Sequence, residues 1–212
     1  MDLPGFGQSK LLPNGFSIAN VASKIISLLE ELKIEECISI GHSLGGYVTL
    51  AIAEQRPAIL KAFGLFHSTA YADAEERKIS RNKVIEFVSN YGVTPFIESF
   101  IPPLFYDQSN PHIQPVVGLA SQTKPETLIA YVKAMRDRPD RTLVVRHFER
   151  AILFIAGEKD AGITLESIKT QSELAIRPTV CVLTNTAHMG MFEQADEAIK
   201  YIQVFLQTEI KN

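Results

Sequence analysis

The sequence predicts an α/β protein, with a mostly parallel sheet flanked by helices and a helical insert between its second and third strands. Three observations carry this expectation. Short apolar runs recur at 37–40, 62–66, 151–156 and 180–183, the pattern of strands covered on both faces. Helical periodicities alternate with them, as the crossovers of a parallel sheet require. The stretch 71–147 breaks the alternation, with helix signals and no convincing strand.

The elements follow in order. Asp2-Leu3-Pro4-Gly5-Phe6-Gly7-Gln8-Ser9 is turn chemistry, one proline and two glycines within four residues. Ile18, Val21, Ile25, Leu28, Leu29 and Leu32 recur at three- and four-residue steps and predict an amphipathic helix over roughly 17–33. Cys37-Ile38-Ser39-Ile40 reads as the first strand. A helix over 44–55 follows and ends at Arg56-Pro57, because the residue before a proline avoids the helical region. Residues 62–66, 151–156 and 180–183 are the next three strands, and helical patterns over roughly 164–175 and 194–208 follow the last two. Within the insert, Thr94-Pro95 and Lys124-Pro125 place proline at expected first helical positions. This gives a core of 1–70 and 148–212 and a helical lid of 71–147. The lid carries Phe87, Phe96, Phe100, Phe105, Tyr106, Tyr131 and Met135, which read either as the wall of an apolar pocket or as the lid's own core.

Composition excludes several classes. The chain has 212 residues, 46% apolar and 21% charged, which rules out a disordered or fibrous protein. A net charge of -3 offers no basic field for nucleic acid or an anionic membrane surface. The longest stretch free of Asp, Glu, Lys and Arg, 37–53, is too short and too broken by glycine to span a bilayer. The first residues lack the basic and apolar regions of a signal peptide. Cys37 and Cys181 each sit in an apolar run and read as small buried hydrophobes, so a reducing cytoplasm is the expected compartment. No histidine pair has metal-ligand spacing and no nucleotide, flavin or haem motif is present, so neither a metal nor a cofactor is expected.

One motif carries chemistry. Gly41-His42-Ser43-Leu44-Gly45 fits G-x-S-x-G, between an apolar strand and a helix. A serine on so sharp a turn has a strained backbone, and glycines two positions to either side relieve the crowding. The helix that follows points its N-terminus at the serine, and the N–H of Leu44 can donate to an oxyanion. Taken alone, the pattern also fits a glycine-rich strand-to-helix turn carrying an idle serine.

This turn, together with Asp2-Leu3-Pro4-Gly5-Phe6-Gly7-Gln8-Ser9, resembles the α/β-hydrolase fold family over nearly the whole chain. The resemblance implies a triad in the order nucleophile, acid, histidine. Ser43 matches the nucleophile. Asp160, in Gly157-Glu158-Lys159-Asp160 after the strand that follows the lid, matches the acid, with Glu158 as its rival. His188, in Asn185-Thr186-Ala187-His188-Met189-Gly190 after the last strand, matches the histidine. Separations of 117 and 28 residues leave room for a lid and for one helix plus one strand. Among the other histidines, His42 is expected to pack under the turn, and His112 and His147 fall in the lid. His67, Phe100, Phe105 and Tyr131 are the candidates for substrate contact. His67 reads equally as an ordinary polar strand end.

The implied activity is that of a serine hydrolase acting on a small, fairly apolar ester or related acyl compound through an acyl-enzyme, with a small molecule as partner. Acyl transfer, C–C hydrolysis and cofactor-free peroxidase activity use the same serine. Haloalkane dehalogenase and epoxide hydrolase activities look like aspartate chemistry instead. The resemblance also implies earlier strands and a His-Gly-type turn that supplies a second oxyanion donor, and no such turn precedes Ser43. On this reading the N-terminal strands of the fold are missing. The strand at 37–40 is then expected at a sheet edge open to association, with turnover of short esters weak for want of a donor. A truncated or non-catalytic binding protein of the same fold is the alternative.

Overall fold

The computed structural model describes residues 2–12 and 15–211. Its elements run α1 (Ile18–Glu31), β1 (Cys37–His42), α2 (Leu44–Gln55), β2 (Leu60–Phe66), α3 (Glu75–Tyr91), α4 (Val93–Phe100), α5 (Ile113–Ala120), α6 (Pro125–Arg136), α7 (Thr142–His147), β3 (Ala151–Gly157), α8 (Leu165–Ser172), β4 (Arg177–Leu183), α9 (Gly190–Glu193) and α10 (Ala195–Lys211). The four strands form one parallel sheet in the order β1-β2-β3-β4.

Alternation along the central strands builds two cores. Phe63, Leu65, Ile152 and Phe154 face α1, α2 and α8, packing with Ile18, Val21, Leu50 and Ile168. Ala62, Phe66, Leu153 and Ile155 face the opposite way, with Ala198 and Phe205 of α10. Helices cover both faces, so β3 and residues 62–66 of β2 read as unbroken apolar runs. Among the described residues β1 pairs with β2 alone and β4 with β3 alone, which places the strand at 37–40 at an edge, as expected. Edge position also corrects the reading of the cysteines. Cys37 on β1 and Cys181 on β4 are half-buried rather than enclosed, because neither strand is covered on its outer side. It explains as well why only 180–183 was legible as a strand. β4 begins at Arg177, and its first four residues are exposed. Pro178 is tolerated on such an edge.

Local chemistry sets the helix ends. Ser17 caps α1 by accepting from the N–H of Asn20 at 3.1 Å, and Ile18, Val21, Ala22, Ile25 and Ile26 form its buried face. Pro125 opens α6 as its first residue. Pro95 does not open α4. The helix begins two residues earlier at Val93, and Pro95 fits because N–H groups of a first helical turn have no acceptor within the helix.

Helices α3 to α7 lie between β2 and β3, and their aromatic residues divide. Phe105 belongs to a small core with Val88, Val93, Ile97, Ile101 and Ile113, which also takes in Met189. Tyr131 packs in the main core, with Phe6 and Phe16 against its ring and its hydroxyl donating to the carbonyl of Pro4 at 3.0 Å. Phe87, Phe100 and Tyr106 keep exposed surface. A buried ion cluster ties these helices to α2. Asp73 accepts from Arg81 at 2.9 Å and from Arg138 at 2.7 Å, and the Arg138 guanidinium sits 4.0 Å over the ring of Tyr47.

Phe154 is fully buried at the centre of the sheet. Phe154→Ala is expected to cost about 3–5 kcal/mol in urea unfolding, whereas Leu119→Ala, at an exposed position, should stay within about 0.5 kcal/mol.

Candidate active site

Four loops meet at the C-terminal end of the sheet, where parallel sheets place their ligand sites. The first is the turn from β1 into α2. Ser43 has φ 48° and ψ -111°, a left-handed conformation that a non-glycine residue adopts only when its surroundings hold it there. Its N–H donates to the carbonyl of Phe66 at 2.9 Å, and its own carbonyl accepts from the hydroxyl of Ser68 at 2.7 Å. A Cβ on Gly41 would overlap the backbone of Gly45 and Gly46, and one on Gly46 would overlap the Ser68 hydroxyl. Gly45 itself faces open space. The crowding is therefore relieved at Gly41 and Gly46, not at Gly41 and Gly45. Leu44 is the first residue of α2, where backbone N–H groups lack acceptors within the helix.

The loops after β3 and β4 bring the other two residues in. They are stitched together by the Glu158 N–H donating to the Leu183 carbonyl at 3.0 Å and the Lys159 N–H to the Thr186 carbonyl at 2.8 Å. This sets Asp160 beside His188, and Nδ1 of His188 lies 2.7 Å from Asp160 Oδ2. Nε2 of His188 lies 2.9 Å from Oγ of Ser43, 145 residues away in the chain. The three residues make one hydrogen-bonded line. The other Asp160 oxygen accepts from the N–H groups of Gly162 at 2.8 Å and Ile163 at 2.9 Å. Burial works against ionisation of Asp160, but the hydrogen bonds from His188, His67 and Ile163 outweigh it and hold the carboxyl below the ordinary aspartate range. Glu158 does not reach the histidine. It accepts from the Asn185 N–H at 3.1 Å and pairs with Lys159.

Three further residues hold this geometry. His42 donates through Nε2 to the carbonyl of His188 at 2.8 Å, and burial, reinforced by the neighbouring His188, pushes its pKa down to about 3. Glu193 accepts from the Tyr106 N–H at 2.6 Å and from the Ala187 N–H at 3.0 Å, joining the helical insert to the histidine loop. The Leu104 carbonyl accepts from the N–H of His188 itself at 2.9 Å. Glu193 carries no motif or spacing that marks it in the sequence; only the fold shows what it holds.

The candidates for substrate contact are placed differently from the sequence expectation. His67 has no exposed side-chain surface and lies behind the triad, with Nδ1 3.2 Å from Asp160 Oδ2. Phe105 and Tyr131 are committed to the cores described above. Of the four, Phe100 alone presents free surface. His112 packs on Phe192. His147 lines a cavity of about 480 Å³ between α2 and α7 that does not reach Ser43. Donor atoms of His67, Asp160 and His188 lie within 4.8 Å of one another, a spacing that could hold a metal ion, but the same atoms already serve the hydrogen-bonded line.

Comparison with known proteins agrees with the fold. The family model described as "Alpha/beta hydrolase family" matches residues 1–200. The chain is 36% identical over 72 residues to the uncharacterized hydrolase YugF of Bacillus subtilis, which is 34% of this chain and 26% of that protein. It is 27% identical over 94 residues to the putative carbamate hydrolase RutD of Serratia proteamaculans, 44% of this chain and 34% of that protein. These matched segments thus span about a quarter to a third of the two relatives. Among solved structures, a thermophilic esterase from Thermogutta terrifontis superposes with a TM-score of 0.92 at 25% identity, covering 98% of this chain and 78% of that one.

Two outcomes follow from the geometry. Gly41→Ala should destabilise the chain by more than about 2 kcal/mol, while Gly45→Ala should be neutral or stabilising by up to about 1 kcal/mol, both read by urea unfolding. Stability should also fall on acidification. Between pH 6.5 and about 3 the unfolded chain binds a proton at His42 that the folded chain refuses, so folding is favoured at higher pH. Urea midpoints from pH 7 to 4 should fall with a contribution from His42 of up to about 1.4 kcal/mol per pH unit, and His42→Gln should flatten the slope.

Proposed function

The chain belongs to the alpha/beta hydrolase family, and on that premise we propose that it is a serine hydrolase acting on small, fairly apolar esters or the related carbamates. The observation that carries the proposal is the unbroken line from Asp160 through His188 to Ser43, at 2.7 Å and 2.9 Å. A serine hydroxyl is a poor nucleophile until a base takes its proton, and neutral imidazole is the base suited to neutral pH. Nε2 of His188 takes the Ser43 proton as Oγ attacks the substrate carbonyl. Asp160 accepts from Nδ1–H, fixes the tautomer and stabilises the imidazolium that forms. The carbonyl oxygen becomes an oxyanion, and the N–H of Leu44 is the donor that α2 supplies for it.

His188 then returns its proton to the departing alcohol or amine, leaving an acyl or carbamoyl group on Ser43. A water molecule, deprotonated by His188, attacks that group; His188 then returns the proton to Ser43 Oγ, releasing the acid. Esters and carbamates present the same carbonyl to Oγ, and the names of the relatives span both. Phe100, with exposed surface on α4, is the lid residue left to meet an apolar group. The two free cysteines support a reducing compartment.

A fluorophosphonate probe tests the proposal, because it phosphonylates a serine only where a base activates it. The folded chain should be labelled at Ser43, as read by peptide mass mapping. Labelling should vanish in Ser43→Ala and after denaturation, and slow by at least about 10³-fold in His188→Ala. An unlabelled folded chain would favour the non-catalytic reading of the same fold.

A further inference from the structure

His67 is a buried polar group that the proposed reaction leaves without a task. It follows β2 directly, with φ 48°, a conformation a bulky residue adopts only under constraint, and its N–H donates to the Ile155 carbonyl at 2.9 Å. Space has been made for its ring. A Cβ on Gly157 would sit 2.8 Å from Cε1, and one on Gly190 would sit 2.6 Å from Nε2. The imidazole lies over Phe66, ring centroids 4.8 Å apart, and 5.5 Å from the His188 ring. Its Nδ1 is 3.2 Å from Asp160 Oδ2, the oxygen that also takes the Nδ1–H of His188.

The tautomer decides what this contact means. The Gly157 N–H also points at His67 Nδ1, at 3.2 Å. If Nδ1 is bare it accepts from Gly157, its lone pair faces the carboxylate, and a buried Nε2–H has no acceptor among the described residues. If Nδ1 carries the proton it faces Asp160 Oδ2 as a donor to a carboxylate, the stronger kind of bond, and the Gly157 N–H loses its acceptor. Nε2 is without a partner among the described residues in either tautomer, so the carboxylate contact is what decides. Asp160 then has two backbone N–H donors on Oδ1 and two imidazole donors on Oδ2, which fills the roughly four sites a carboxylate offers.

We propose that His67 is a positioning residue for the triad: a neutral imidazole, protonated at Nδ1, whose hydrogen bond to Oδ2 fixes the Asp160 carboxylate in the orientation that holds His188. The donor's neutrality matters. A lysine or arginine here would also hold the carboxylate, but its charge would oppose the imidazolium that forms on His188 beside it. Burial lowers the pKa of His67 and keeps it uncharged.

This inference rests on the proposed serine hydrolase for its purpose, but its chemistry can be tested separately. Long-range proton–nitrogen correlation spectra of the ¹⁵N-histidine-labelled chain should show His67 neutral and protonated at Nδ1 at pH 7, its signals assigned by their loss in His67→Asn. A His67 protonated at Nε2 alone, or at both nitrogens, overturns the proposal. Fluorophosphonate labelling of Ser43 supplies the second arm. His67→Leu removes the donor at similar volume and should slow labelling by about 10- to 100-fold, the usual cost of losing a supporting hydrogen bond. His67→Asn should stay within about threefold of the unaltered chain, since its amide can donate from the Nδ1 position and asparagine tolerates positive φ. Equal rates for Leu and the unaltered chain, or an Asn variant as slow as Leu, also overturn it. If His67→Leu does not fold, the tautomer decides alone. An unaltered chain that resists the probe counts against the hydrolase and leaves the tautomer result standing.

Discussion

The backbone of Ser43 is the constraint on which the site depends. At φ 48° and ψ -111° it would relax in an isolated peptide, and four neighbours prevent that. The Phe66 carbonyl takes its N–H, the Ser68 hydroxyl holds its carbonyl, and the bare Cα atoms of Gly41 and Gly46 let the backbones close around it. Phe66 and Ser68 belong to the end of β2 and the loop after it, so the strain is carried by a neighbouring strand rather than by the turn itself. The result is a hydroxyl presented at the start of α2, in the field of its N-terminus.

Sheet order does the rest. Because β1, β2, β3 and β4 lie side by side in chain order, the loops at their C-terminal ends are neighbours although their residues are far apart in sequence. The first loop brings Ser43, the second His67, the third Asp160 and the fourth His188. Buried polar groups at such a junction must find partners or cost stability. Here His42 is spent on the His188 carbonyl, Asp160 on His188 and on the Gly162 and Ile163 N–H groups, and Glu193 on the Tyr106 and Ala187 N–H groups. The hydrogen-bonded line of Asp160, His188 and Ser43 is therefore held by partnered groups around it, and its histidine loop is also tied to the helical insert through Glu193 and Leu104.

Much of this was legible in the sequence, and the reasons differ by element. β3, and β2 from Ala62 onward, announce themselves because both faces are covered, so no polar residue interrupts those runs. The start of β4 was invisible because Arg177, Pro178 and Thr179 lie on an exposed edge, where burial imposes no apolar pattern. G-x-S-x-G was legible because backbone crowding demands glycine at Gly41, but the second tight glycine, Gly46, falls outside the motif. Tyr131 and Phe105 were misplaced because an aromatic side chain in a helical insert looks the same whether it lines a pocket or fills a core. His67 was misplaced for a related reason. A polar residue at a strand end suggests an opening, and only the neighbouring loops reveal that this one is closed over.

The account's central claim is that the Asp160–His188 pair makes Ser43 a nucleophile toward acyl carbonyls. The most direct measurement is intact-protein mass spectrometry after mixing the folded chain with a short p-nitrophenyl ester and quenching in acid. The account predicts a single acyl adduct, mapped to Ser43, each acylation releasing one p-nitrophenolate, and absent from His188→Ala. No adduct on the folded chain, or an acyl group carried by any other residue, would contradict it.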